Sequence, residues 1–259
     1  MPTIIKLLLL VHCKNRLEVL WWFLGFRYAG RKSELLLKLA WDGRDIVIPV
    51  QDIQTLVAGL TLFTPENPWE RWRPARDPRR VIDLGANVGL VSLYFALRFP
   101  DAQIVAVEMM PENAAAIKRL TDLNRLNIEI ANIAVGATEG TASVRLNESH
   151  SRHSLETLQS ANLGRLGFTE KTATVPITRL GNLISDLGWT SADLLKVDIE
   201  GAEKLLLEDI DGWSGLASNV LMEIHHNVDA REAEAVMTRH SFKKIGHDNF
   251  HRTELWFSK

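Results

Sequence analysis

Four acids and two histidines stand in two short strings of this chain. The first, Leu194-Leu-Lys-Val-Asp-Ile-Glu-Gly-Ala-Glu203, places Asp198, Glu200 and Glu203 directly after an apolar run. Like charges crowded this way repel, so their grouping calls for a purpose. The second, Leu221-Met-Glu-Ile-His225-His226, sets Glu223 and His225 on one face of a strand and His226 on the other. If the two runs are neighbouring parallel strands, their carboxyl ends share one edge, and ligands of such sheets lie beyond it. Asp198, Glu200, Glu223 and His225 would then face one region. Such a set suits removal of a proton from an alcohol, which holds it until late in a reaction. His225 is a candidate base, since an ordinary imidazole has a pKa of ~6.5. Asp198 or Glu200 could take that role instead, or orient the acceptor. Mg or Mn would accept the same groups. A divalent metal is therefore an option, but acids alone identify no ion and no metal ligand is assigned.

A glycine turn forms the second constellation. In Val81-Ile-Asp-Leu-Gly-Ala-Asn-Val-Gly-Leu90 an apolar run meets Gly85 and Gly89, and a helical pattern follows. Glycines at such a turn let a ligand approach the backbone. The dinucleotide fingerprint fails, because Asn87 and Leu90 stand where its second and third glycines belong. Asp83 at the mouth of the turn is a poor neighbour for a pyrophosphate. It suits a cofactor with cationic groups and no phosphate, such as S-adenosylmethionine. Glu108 ends the next apolar run, one strand–helix–strand repeat further on, where an acid can accept from ribose hydroxyls. Asn132, near the end of the third run, could read an adenine edge or cap its own turn.

These residues need a sheet to hold them. Strand-like runs cover 80–84, 104–107, 128–133, 194–197, 220–224, 242–245 and 255–257. Helical patterns cover 88–98, 111–123, 202–207 and 230–240. Alternation of this kind predicts crossover units and a mostly parallel sheet. It breaks at 141–146 and 172–178, which read as paired antiparallel strands. The polar stretch between them, 147–171, is a functional lid or a disordered insertion. Ahead of the sheet, 3–40 reads as largely helical and 46–50 as a short strand. Prolines and arginines crowd 64–80 and mark a boundary there. The arginines could grip an anion, though a solvated linker is the plainer reading. An accessory segment, 1–78, and a catalytic domain, 79–259, are expected.

Composition sets the frame. With 46% apolar and 24% charged residues among 259, the chain is an ordinary soluble globular protein. A net charge of -2 gives no global field for nucleic acid. Cys13, the single cysteine, permits neither an internal disulfide nor a cysteine zinc cluster. It fits a reducing, cytoplasmic compartment. Five of the eight tryptophans fall in the first 72 residues. The apolar runs 7–11 and 19–26 are too short to span a bilayer. Flanked by Lys6, Lys14, Arg16, Arg27, Arg31 and Lys32, they could lie in a membrane interface, or pack on the domain or on a second subunit of a homo-oligomer.

Together these motifs resemble the FkbM family of S-adenosylmethionine-dependent methyltransferases. The residues that carry the likeness are Val81–Gly89, Val107-Glu108 with Pro111-Glu-Asn113, Leu195–Glu203 and Met222-Glu-Ile-His225. It covers about 80–259. Two features depart from the pattern: Leu180 is followed by Gly181 where an aspartate is frequent, and Glu108-Met-Met-Pro stands where Glu-Pro is common. The resemblance implies a Rossmann-like α/β fold, its seven-stranded sheet ending in an antiparallel strand. It implies O-methylation of a sugar or other small hydroxylated molecule. It also implies that Asp83, Gly85, Asn87, Gly89 and Glu108 line the cofactor pocket, with Asp198, Glu200 and His225 by the acceptor. Three other readings compete. A nucleic-acid base methyltransferase lacks its Asn/Asp-Pro-Pro-aromatic motif here. A dehydrogenase would need NAD binding. A non-catalytic, membrane-associated scaffold would have no need of the acids.

Overall fold

The computed structural model describes residues 6, 8, 11–30, 33–64, 67–70, 72–147, 154–155, 168–225, 228–248 and 253–259. Most of the 147–171 stretch, and His226, lie outside them. The chain divides into two compact units, 1–73 with 118–126 and 74–117 with 127–259.

In the first unit, strand β1 (His12–Cys13) and helix α1 (Arg16–Ala29) precede β2 (Leu35–Trp41), β3 (Arg44–Val50) and helix α2 (Ile53–Leu62). The three strands form an antiparallel sheet in the order β1-β2-β3. Residues 35–40, expected to be helical, are strand instead, so the segment is mixed rather than mainly helical. The reason is local. Leu35, Leu37 and Leu39 alternate inward and are buried, a period of two. Asp42 and Gly43 then both take positive φ, 48° and 73°, which suits the tight two-residue turn that returns the chain as β3. Helix α2 is capped by Asp52, whose side chain accepts from Thr55 N at 2.7 Å.

The second unit carries β4 (Arg80–Leu84), α3 (Leu90–Arg98), β5 (Gln103–Val107), α4 (Pro111–Asn124), β6 (Ile128–Ala131), β7 (Ala134–Gly136), β8 (Gly140–Asn147), β9 (Ser154–Leu155) and β10 (Phe168–Arg179). After these come α5 (Leu180–Asp186), β11 (Ala192–Val197), α6 (Glu203–Glu208), α7 (Ile210–Trp213), β12 (Ala217–Ile224), α8 (Ala230–Arg239), β13 (Lys243–Asp248) and β14 (Thr253–Ser258); the second half of α4, from Lys118, groups with the first unit. Seven strands form one sheet in the order β13-β14-β12-β11-β4-β5-β6. Neighbours from β12 to β6 run parallel, and β14 runs antiparallel to both β12 and β13. This is the Rossmann-like α/β sheet with its last strand reversed. Its central strands are near-continuous apolar runs because both faces are covered: Ile82, Leu84, Val105, Leu195 and Val197 have no exposure. The order places the carboxyl ends of β4, β5 and β11 side by side.

A second sheet, β7-β10-β8-β9, holds the predicted hairpin. β8 and β10 pair antiparallel from Gly140↔Ile177 to Thr174↔Ser143 and beyond.

Candidate active site

The glycine turn follows β4 and is built by backbone contacts. Gly85 N and Ala86 N both donate to Val107 O at 3.0 Å, tying the turn to β5. Gly85 has a φ of +73°, and a Cβ there would sit 1.8 Å from the carbonyl oxygen of Asp198. No side chain fits, so the turn and the end of β11 touch directly. Asn87 also takes a positive φ, and Gly89 sits left-handed at the start of α3.

Glu108, at the end of β5, is 6% exposed. Its two oxygens accept from Asn87 N at 2.9 Å and Met110 N at 2.8 Å. Burial raises its pKa, opposed by these backbone bonds and by Asn113. Asn132 donates its side-chain amide to Glu108 O at 2.8 Å, so it braces the β5 terminus. The neighbouring surface comes from Ile133, Ala134 and Val135.

Asp83 lies under the turn with no exposure. One oxygen accepts from Ser92 Oγ at 2.6 Å, and Lys196 Nζ stands 3.0 Å from the other. Lys196 is itself 2% exposed and faces Asp83 across the β11–β4 register. It also reaches Gly85 O at 3.2 Å and Asp198 Oδ2 at 3.5 Å. Burial works against its charge, but Asp83 and then Asp198 outweigh that cost and raise its pKa. Lys196 has no role among the expectations drawn from the sequence. The signal was there: a lysine between Leu195 and Val197 in a buried strand needs an acid opposite.

Beyond β11, Glu200 takes a positive φ of 49° in the turn that leads to α6. Glu203, fully buried at the start of α6, closes that turn by accepting from Ile199 N at 3.2 Å and Gly201 N at 3.3 Å. The same oxygen meets His225 Nδ1 at 2.8 Å. A buried carboxylate only accepts, so Nδ1–H is the donor. The other ring nitrogen, Nε2, lies 3.4 Å from Glu200, 3.6 Å from Glu223 and 3.7 Å from Asp198. The two strands thus bring Asp198, Glu200, Glu223 and His225 together as their spacing predicts. Burial would lower the pKa of His225, but Glu203 first and then Asp198 and Glu200 raise it to about 9. An oxygen of Asp198, an oxygen of Glu200 and a nitrogen of His225 lie within 4.8 Å of one another, a set that could hold a divalent cation.

Gly85, Asn87, Glu108, Asp198 and Glu200 open on one cleft at the carboxyl edge of the sheet. Asp83, Gly89, Asn132 and His225 are not part of its lining; Asp83, Gly89 and His225 are buried, and Asn132 is exposed. The Oδ1 atom of Asn87 is buried there with no partner among the described residues.

The 31-O-demethyl-FK506 methyltransferase FkbM of Streptomyces tacrolimicus is 25% identical over 208 residues, covering 68% of this chain and 77% of that protein. Methyltransferase sdnD of Sordaria araneosa is 28% identical over 170 residues, 55% of this chain and 65% of its own length. Methyltransferase 1 of Beauveria bassiana is 23% identical over 166 residues, 58% and 66%. The chain therefore spans just under two thirds of the length of those last two relatives. The solved structure of Methyltransferase FkbM from Methylobacillus flagellatus KT aligns with a TM-score of 0.48 at 18% identity, covering 79% of this chain and 54% of that one. A family model described as Methyltransferase FkbM domain matches residues 83–254, from the end of β4 into β14. The chain belongs to the methyltransferase FkbM family.

Proposed function

We propose that the protein is an S-adenosylmethionine-dependent O-methyltransferase acting on a hydroxyl of a sugar or another small molecule, with residues 79–259 as its catalytic part. One observation carries the reading. A single cleft is lined by the glycine turn, Glu108, Asp198 and Glu200 together. The donor set fits the cofactor. Glu108 offers carboxylate lone pairs to ribose hydroxyls, the turn admits close approach, and Ile133, Ala134 and Val135 give an apolar wall for an adenine. The unpartnered Asn87 Oδ1 offers a further acceptor. When bound, S-adenosylmethionine supplies an electrophilic methyl group on a sulfonium. The name of the Streptomyces relative, a 31-O-demethyl-FK506 methyltransferase, supports an oxygen acceptor on a small molecule.

The residues divide the remaining work. His225, with its pKa near 9, holds a proton at neutral pH and does not serve as the base in that state. The acceptor's proton goes instead to Asp198 or Glu200, and the imidazolium fixes their position. Asp83 and Lys196 act beneath the turn and touch no ligand. A second reading rests on the 4.8 Å grouping: a divalent cation on Asp198, Glu200 and His225 would displace the proton from Nε2. Turnover after chelation, with and without added magnesium, separates the two.

The test is methyl transfer from labelled S-adenosylmethionine to a panel of small hydroxylated molecules, with the product identified by mass. Labelled O-methyl ethers support the reading. Labelled nitrogen or carbon products, or labelled nucleic acid, overturn it.

A further inference from the structure

The helix α1 has two apolar faces, and the fold uses one of them. Val19, Trp22 and Phe23 are buried, and Trp22 donates its indole N–H to Ser33 O at 2.5 Å. On the opposite side, Leu17 is 76% exposed, Trp21 74%, Leu24 37% and Tyr28 70%. Steps of four, three and four place these side chains in one narrow stripe along the helix. Only two other large apolar residues among those described are as open, Leu123 and Ile245. Exposed apolar surface is therefore concentrated on this stripe rather than scattered. A contiguous patch rich in Trp and Tyr marks a surface that meets something.

Charge identifies the partner. Residues 1–32 carry Lys6, Lys14, Arg16, Arg27, Arg31 and Lys32 against Glu18 alone, although the whole chain has a net charge of -2. Arg16 and Arg27 are exposed on α1 itself, and Arg27 lies over the Tyr28 ring at 5.5 Å. A second copy of this helix would bring like charge against like charge. An anionic bilayer offers the opposite sign and an apolar layer at the right depth. Tryptophan and tyrosine favour that boundary, because their rings are apolar and their tips polar. With 14 residues the helix is too short to cross a bilayer, and no helix among the described residues is long and apolar enough to do so. A helix of this kind lies flat in the interface.

We propose that the Leu17–Trp21–Leu24–Tyr28 stripe of α1 docks the protein on the surface of an anionic lipid membrane. The inference stands on the first unit alone and does not depend on the methyl-transfer chemistry.

The experiment is co-sedimentation of the full chain with vesicles of equimolar phosphatidylcholine and phosphatidylglycerol, and with phosphatidylcholine alone. Binding to the anionic vesicles that weakens as salt is raised is the expected result. The pair Trp21→Ser and Tyr28→Ser changes only exposed side chains, so its circular dichroism and melting should match the unaltered protein. It should lower vesicle partitioning by about tenfold or more, since single apolar contacts of this size dominate interfacial binding. Arg16→Gln with Arg27→Gln should also weaken binding, and should flatten the salt dependence. Three results would overturn the proposal: no binding to anionic vesicles at low salt, equal binding by the Trp21 and Tyr28 pair, or a concentration-dependent dimer that the same pair dissolves.

Discussion

The carboxylate of Glu203, with no solvent exposure, accepts the Nδ1–H of His225 at 2.8 Å. The pair decides what the imidazole can do. Glu203 fixes the ring so that Nε2 faces Asp198, Glu200 and Glu223, and it holds the proton on. Glu203→Gln keeps the shape and removes the charge. The pKa of His225 should then fall from about 9 toward the ordinary imidazole value. Nuclear magnetic resonance titration of the His225 ring reads this directly; an unchanged midpoint would show that the other acids, not Glu203, set it.

His225→Ala removes the imidazolium from the acid cluster and leaves the glycine turn and Glu108 intact. Turnover should fall by at least tenfold, about 1.4 kcal/mol of transition-state stabilisation. S-Adenosylhomocysteine affinity should change little. Calorimetry beside a methyl-transfer assay separates these effects. A large affinity loss with normal turnover would place His225 in the cofactor pocket instead.

Glu108 and Asp83 should fail in different ways. Glu108 opens on the cleft, so Glu108→Ala costs cofactor affinity, by about 1.5–3 kcal/mol for bonds to a charged acceptor. Asp83→Ala leaves the buried Lys196 ammonium without its nearest partner. Breaking such a pair costs about 3–5 kcal/mol of stability. Its cofactor affinity should fall because the turn above it loosens. Melting and S-adenosylhomocysteine calorimetry on both variants form the check: equal thermal stability would contradict the distinction.

The parallel sheet was legible because each central strand is an apolar run long enough to be buried on both faces, followed by a helical pattern. The acid cluster was legible because its members lie at strand ends, where a period of two fixes their faces. What escaped depends on register and long-range pairing. Lys196 meets Asp83 only because β11 and β4 align them, and Glu203 reaches His225 from the start of a helix. The Leu-rich stretch 35–39 supports helix and strand alike by composition. The Asp42-Gly43 turn that decides for a strand lies just beyond it. Asp83 was expected at the cleft, since neither the proximity of a buried lysine nor that of Ser92 shows in its spacing.

The pH dependence of stability should carry the mark of Glu254. On β14 it faces Glu223 of β12. Burial raises its pKa to about 7, Glu223 and Asp198 add to the shift, and Lys196 opposes it. The folded chain therefore binds this proton more tightly than the unfolded chain, whose glutamate titrates near 4.5. Between those values the folded state holds more protons, so its contribution to stability is full below the lower value and is lost as pH rises toward 7. His225 has the same sign in a higher window, from 6.5 to about 9. The melting temperature should thus decline from pH 5 to pH 9, in two overlapping stages. Glu254→Gln, neutral throughout, should flatten the first stage and leave the second. The difference in melting temperature between the variant and the unaltered protein, followed across that range, is the measurement. A difference that does not grow between pH 5 and pH 7 would show that Glu254 titrates as an ordinary carboxylate.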